Sequence, residues 1–532
     1  MLGALAFAAS LTPSLIPRTA LVQGVVAGLA FTLAYGAGAA VSGALEWLGL
    51  RGRPFRYSRL AGNVVLLAAV LIASAGLASA THWQNSIRLA MNMPPVETMR
   101  PFLIAGVAVV VTLVFLALGH LFRGAIRLAS RQISRVLPPR AAALSGLILS
   151  AVLFWGVGDG VLLRGFIYVI DNSYKKVDRY LPPESAAPAE AWKSGSSASA
   201  IAWDTLGAEG RNRVLSPPSQ QDIAELAGTG SMAPLRVYVG LNSAETPDER
   251  AALALAELLR IGGFDRKVLV IATPTGTGWV DPAAMAPVEI LTHGDIASVS
   301  VQYSYLPSWL SLLTEPDYGK EAARAVFQAI YGHWRDLPKA KRPKLYLFGL
   351  SLGALNSDLS VDAFDMLGDP IDGALWVGPP YESRTWNQIT AKRAKDSAVW
   401  LPIYGDGSLF RFQNQTGEPP GTGATWGRTR IVYLQYASDP IVFFDAKSLW
   451  RPPAWLASPR GPDVSKELRW IPLVTFLQQV CDVVTATLPP HGSGHVYAAN
   501  DYMRAWISVT QATGWSDTSL AQLKRWFAAS NL

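Results

Sequence analysis

Five residues, Gly349-Leu350-Ser351-Leu352-Gly353, set a serine between two glycines at the end of the apolar run KLYLFGL. A serine hydroxyl is a weak nucleophile until a neighbouring base takes its proton. It must also stand clear of its own backbone. A strand that turns sharply into a helix achieves this, provided that small residues flank the serine. GALNSDLSVDAFDML, directly downstream, reads as that helix. Because the chain has 46 glycines, the spacing alone carries little, and a plain glycine-rich turn is the simpler reading. The position between strand and helix is what favours a nucleophile at Ser351.

The candidate bases are few: His82, His120, His293, His333, His491 and His495. The first two fall in the apolar N-terminal third. A triad built on this kind of turn runs serine, acid, histidine along the chain. That order excludes His293 and His333, which read as polar residues near helix ends. Of the pair in LPPHGSGHVYAANDYMRAW, His495 directly precedes a helical pattern and is the preferred base; His491 is the alternative. The acid must orient the imidazole and stabilise its cation. Asp439, at the end of the strand-like RIVYLQYASDP, is preferred, although an Asp-Pro turn is its plain reading. Asp445 and Asp463 compete without following a convincing strand. An oxyanion hole would use the N–H of Leu352 and one from Thr275 or Gly276 in TPTGTGW. That loop lacks the Gly-Lys-Ser/Thr ending of a phosphate-binding loop. The single cysteine, Cys481, excludes an intrachain disulfide and a cysteine-built zinc site, and no cofactor or metal is expected.

Two kinds of element must position these residues. From about 234, strand-like runs (LRVYVGL, KVLVIAT, ASVSVQYSY, KLYLFGL, GALWVG, RIVYLQYA) alternate with helical ones (DERAALALAELLRIGG, EAARAVFQAIYGHWRDL). Short apolar strands separated by helices imply a mainly parallel sheet, so residues 231–532 are expected to form an α/β domain. Before it, half the residues of the whole chain being hydrophobic and only 16% charged, apolar stretches near 20–45, 60–81, 101–122 and 141–165 match the ~20 residues that cross a bilayer. Residues 1–170 are thus expected to be an all-α transmembrane domain of four or five spans. Residues 1–16, interrupted by Pro13, read as a short or broken first helix. The polar, Pro- and Ser-rich 171–230 reads as a connector.

Charge supports this division. Residues 1–165 hold thirteen arginines and no lysine against Glu46, Glu97 and Asp159, a net of +10 within a chain total of +7. The arginines cluster in the loops at 51–59 and 123–140 rather than at 82–100. By the positive-inside rule those two loops are cytoplasmic and the α/β domain lies on the outer face of the inner or plasma membrane. The basic balance therefore belongs to membrane loops, and no nucleic-acid partner is expected. Asp159, in WGVGDG, reads as a helix end at the interface. The stretches 381–430 and 451–463, long and Gly/Pro-rich, read as a cap over the site.

Together SLTPSLIPR, PTGTGWVDP, QYSYLPSWLS, FGLSLGA, VGPPYESRTW, YLQYASDP and GHVY resemble a bacterial membrane-anchored α/β-hydrolase family over nearly the whole chain. The resemblance implies a multi-helix membrane region joined to a hydrolase domain, with a triad of Ser351, Asp439 and His495. The expected activity is that of an esterase, lipase or acyltransferase working through an acyl-enzyme. A lipid-like acyl ester is the expected substrate and the bilayer the expected partner. A non-catalytic scaffold or transporter is the competing expectation.

Overall fold

A computed structural model describes residues 1–49, 58–182, 185–308, 310–311, 316–362, 367–419, 423–457, 459–530 and 532. The chain forms two compact units. One comprises Met1–Ile170, Asp445–Ala457 and Pro462–Thr485; the other comprises Asp171–Phe444, Ser458–Gly461 and Ala486–Leu532.

In the first unit, helices α1 (Leu2–Ser10), α2 (Ala20–Trp47), α3 (Ser58–Ala90), α4 (Pro101–Ile133) and α5 (Pro139–Trp155) follow one another. Pro101 and Pro139 open α4 and α5, where a missing N–H costs nothing. Four segments, Ala20–Glu46, Arg59–Ala90, Pro101–Ile133 and Pro139–Gly160, are long and apolar enough to cross a membrane. At nine residues, α1 is too short to do so. The arginine-rich loop expected at 51–59 lies mostly outside the described residues. Asp159 sits in a π-helical turn, Gly156–Leu163, that leads into α6 (Arg164–Arg179); its carboxylate lies 3.9 Å from the guanidinium of Arg164, with both side chains exposed.

A buried polar knot marks the SLTPSLIPR motif. Asp482 accepts from Ser14 Oγ at 3.0 Å, the Leu15 N–H at 3.1 Å and Arg18 Nε at 3.2 Å. Gln84 accepts from the Arg18 N–H at 2.9 Å, and Gln23 from Arg18 Nη1 at 3.0 Å. Asp482 belongs to a helix, Val474–Val484, that packs on α1 and α2. The segment 462–485, read from sequence as part of the α/β domain, thus folds with the N-terminal helices.

The second unit is built on seven strands: β1 (Leu235–Val239), β2 (Val268–Thr273), β3 (Ile296–Val301), β4 (Lys344–Leu350), β5 (Gly373–Val377), β6 (Phe410–Gln413) and β7 (Arg430–Leu434). Their order is β1-β3-β2-β4-β5-β7-β6 and every pairing is parallel. Strands β1, β2, β3 and β5 are buried along their whole length, as a parallel sheet requires. Helices that cover it include α7 (Gly207–Leu215), α8 (Gln220–Ala227), α9 (Pro247–Arg260), α10 (Pro282–Leu291), α11 (Pro316–Asp336), α12 (Leu352–Ser360), α13 (Arg384–Ala391), α14 (Ala499–Thr510) and α15 (Asp517–Ala529).

The described residues of 171–230 are folded. Arg213 of α7 donates to Glu289 of α10 at 2.7 Å, and Arg236 of β1 reaches the same carboxylate at 2.6 Å. All three side chains are buried. The expected cap at 381–430 is also partly built into the fold, since it holds α13 and the edge strand β6.

Candidate active site

The site forms at the carboxyl ends of the parallel strands, where ligands of open α/β sheets bind. Ser351 stands between β4 and α12 with φ 57° and ψ −126°. This conformation is costly for a residue with a side chain and is retained where the surroundings enforce it. Space leaves little choice of neighbours. A Cβ on Gly349 would sit 2.3 Å from the Gly353 carbonyl oxygen, and one on Gly353 would sit 2.4 Å from that of Thr273. The two glycines are therefore steric necessities of the turn. Ser351 itself is 5% exposed.

Asp439 lies five residues beyond β7 with no exposed surface. Its Oδ1 accepts the Ile441 N–H at 2.8 Å, closing a local turn. Its Oδ2 accepts from His495 Nδ1 at 2.7 Å and from the Tyr497 hydroxyl at 2.6 Å. The Asp-Pro dipeptide is thus both a turn and the imidazole's anchor. The His495 loop is tied down independently: its N–H donates to the Ala486 carbonyl at 3.0 Å, and the Gly494 N–H donates to Ser438 Oγ at 2.8 Å. His495 Nε2 is buried and has no hydrogen-bond partner among the described residues. His491, the alternative base, is exposed.

The end of β5 lies against both the serine turn and the histidine. The Ser351 N–H donates to the Val377 carbonyl at 2.9 Å. The next residue, Gly378, has φ 50°, and a Cβ there would lie 2.7 Å from His495 Cε1 and 2.9 Å from the Tyr497 hydroxyl. Only a glycine lets the strand end pass this close to the imidazole.

Two family models cover most of the chain: one described as the alpha/beta-hydrolase family matches residues 235–523, and one described as the alpha/beta-hydrolase family N-terminus matches residues 11–218. The chain belongs to the alpha/beta-hydrolase family. No curated protein and no solved structure matches it. The resemblance carried by the motifs and the fold class expected from the strand–helix alternation both hold for this alpha/beta-hydrolase.

The loop from which a second oxyanion donor was expected has its own internal hydrogen bonds. Leu352 opens α12, where an N–H has no carbonyl one turn back. The N–H of Thr275, however, donates to the Trp279 carbonyl at 2.9 Å, and that of Gly276 to Ser308 Oγ at 3.1 Å. Both backbone donors are therefore engaged within the loop region. The loop nevertheless starts against the turn, since the Thr273 and Pro274 carbonyls face Gly353.

Sequence reasoning missed three neighbours of the hydrolase site: Tyr497, Gly378 and Asp281. Asp281 caps α10 through the Ala283 N–H at 2.9 Å and accepts from the Tyr502 hydroxyl at 2.8 Å. Burial pushes its carboxyl up to about 6, against the pull of the Tyr502 hydrogen bond and of His491 and His495. Desolvation likewise raises Tyr497 well above the ordinary phenol range, and the adjacent Asp439 charge adds to it. The i, i+2 spacing of His495 and Tyr497 in GHVY was the available signal for Tyr497. Among the described residues, no group of three or more His, Cys, Asp or Glu side chains is placed to hold a metal ion.

Proposed function

We propose that the chain is a membrane-bound serine hydrolase that cleaves lipid or lipid-linked esters through an acyl-enzyme. The observation that carries this reading is the buried Asp439–His495 pair, held at the same strand end to which the Ser351 backbone bonds. In the proposed reaction His495 Nε2 takes the Ser351 proton as Oγ attacks the ester carbonyl. Asp439 fixes the tautomer with the proton on Nδ1 and stabilises the imidazolium. The tetrahedral oxyanion is met by the Leu352 N–H. The second donor is assigned to the Thr275–Gly276 loop, which starts against the serine turn at Thr273 and Pro274. Collapse expels the alcohol with the proton from Nε2, and a water activated in the same way releases the acid.

The four long apolar helices support the choice of substrate. An ester already dissolved in the bilayer reaches such an enzyme without its chain crossing water, and so avoids the ~0.8 kcal/mol per methylene that exposing the chain to water costs. The arginine distribution supports a hydrolase unit on the extracytoplasmic face.

The primary test is labelling with a fluorophosphonate in detergent micelles. The wild type should be labelled and Ser351→Ala should not; an unlabelled wild type would sink the catalytic reading in favour of a scaffold. Long-chain esters should then be cleaved faster than acetyl esters when presented in micelles. An acyl product appearing on an added alcohol in preference to water would reassign the enzyme as an acyltransferase.

A further inference from the structure

We propose that Tyr497 is a positioning residue that sets the basicity of His495 by sharing the Asp439 oxygen to which the imidazole is bound. This rests on the catalytic reading above. The geometry is specific: Oδ2 of Asp439 accepts both the His495 Nδ1–H at 2.7 Å and the Tyr497 hydroxyl at 2.6 Å, while Oδ1 is held by the Ile441 N–H. A carboxylate pinned at both oxygens cannot rotate away from the imidazole. A charge shared between a phenol and an imidazole also attracts the imidazolium less strongly than an undivided one.

The phenol is itself held in place. Its ring stacks on Tyr436 at 4.4 Å between centroids, 24° from parallel, and meets His495 edge-on at 5.8 Å. The Tyr436 hydroxyl is committed to Asp501 and accepts the Ala498 N–H. Tyr502, packed on the other side of Tyr497, donates to Asp281. Its burial and the adjacent carboxylate keep Tyr497 protonated, so that it remains a donor throughout the working range. The charged and titratable groups facing the pair are therefore Asp439 from the loop after β7, Asp281 from the start of α10, and Tyr436, Tyr502 and Asp501 around Tyr497. His491, in the same loop as His495, acts on Asp281. Of these, Tyr497 alone shares a hydrogen-bonded oxygen with the imidazole.

The sign follows. Removing the phenol hydroxyl leaves the carboxylate charge undivided on His495, which favours the imidazolium. In Tyr497→Phe the acid limb of the rate of fluorophosphonate labelling should move up by about half to one pH unit. Labelling near neutrality should slow by about three- to tenfold as the base stays protonated. A purely structural tyrosine would lower the melting temperature and leave the limb where it was.

The measurement is the labelling rate constant against pH for the full chain in detergent micelles, wild type beside Tyr497→Phe. A limb that moves up supports the inference, and one that stays or moves down overturns it. Should the Phe variant not fold, 3-fluorotyrosine placed at 497 decides. This more acidic phenol, of nearly the same size, should draw more charge from Asp439 and move the limb down. An unmoved limb there also overturns the inference. If the wild type itself is not labelled at Ser351, the catalytic reading has failed instead, and the two failures remain distinct.

Discussion

At the scale of single residues, the conformation of Ser351 makes a stability prediction that runs against activity. With φ at 57° and ψ at −126°, any side chain there costs ~1–3 kcal/mol. Ser351→Gly should therefore unfold at a higher temperature than Ser351→Ala, while both lose labelling. Equal melting temperatures would show that the turn is not strained. Asp439→Asn should keep the fold and lower the labelling rate by ~10⁴, through the wrong imidazole tautomer. Asp281 makes a prediction about pH. Its folded-state value of about 6 lies above the ordinary 3.8, so the folded protein binds that proton more tightly than the unfolded chain does. Its contribution is then fully present below about pH 4 and lost as pH rises to about 6, by up to about 3 kcal/mol. Thermal unfolding across that range should show Asp281→Asn gaining stability relative to wild type as pH rises; a pH-independent difference would count against it. The placement of Ser351 and Asp439 after strands and of His495 before a helix was legible, because each stands close to a readable strand, turn or helix. Tyr497, Gly378 and Asp281 were not, since their roles depend on side chains 58 to 221 residues distant in sequence.

At the scale of elements, the strands and helices of the sheet followed from alternating apolar runs, and each expected strand from LRVYVGL to RIVYLQYA is present. Two features escaped the sequence for different reasons. The stretch 171–230 looked like a connector because it is polar, but the polarity is paired: Arg213 and Arg236 converge on Glu289, and Arg211 donates to the Asp178 and Tyr180 carbonyls. Composition cannot distinguish a solvated arginine from a buried one with its partner in another element. Strand β6, four residues long, is too short for periodicity to mark. Glu289→Gln tests the first point. It leaves two buried guanidiniums without a counter-charge, which should cost about 3–5 kcal/mol in denaturant unfolding. A loss within experimental error would mean that water reaches the pair.

At the scale of the whole molecule, the membrane-length helices and the sheet were legible from composition, whereas the division of the chain was not. The segment 462–485 reads as part of the α/β domain because it lies between two of its elements. Its allegiance is set by Asp482, which bonds Ser14, Leu15 and Arg18 some 460 residues earlier, and a spacing of that size leaves no local trace. Asp482→Ala should leave Arg18 buried without its counter-charge and lower the stability of the detergent-solubilised chain by about 3–5 kcal/mol. An unchanged melting temperature would show the knot to be dispensable. The same threading limits how this protein can be taken apart. Between Asp439 and His495 the polypeptide passes twice into the first unit, at 445–457 and 462–485, so neither unit is a continuous piece of chain. A truncation at residue 170 leaves the helix Val474–Val484 without Ser14, Leu15 and Arg18, the partners that hold Asp482. A fragment that holds only the second unit therefore needs both 445–457 and 462–485 bridged by linkers, rather than a single cut.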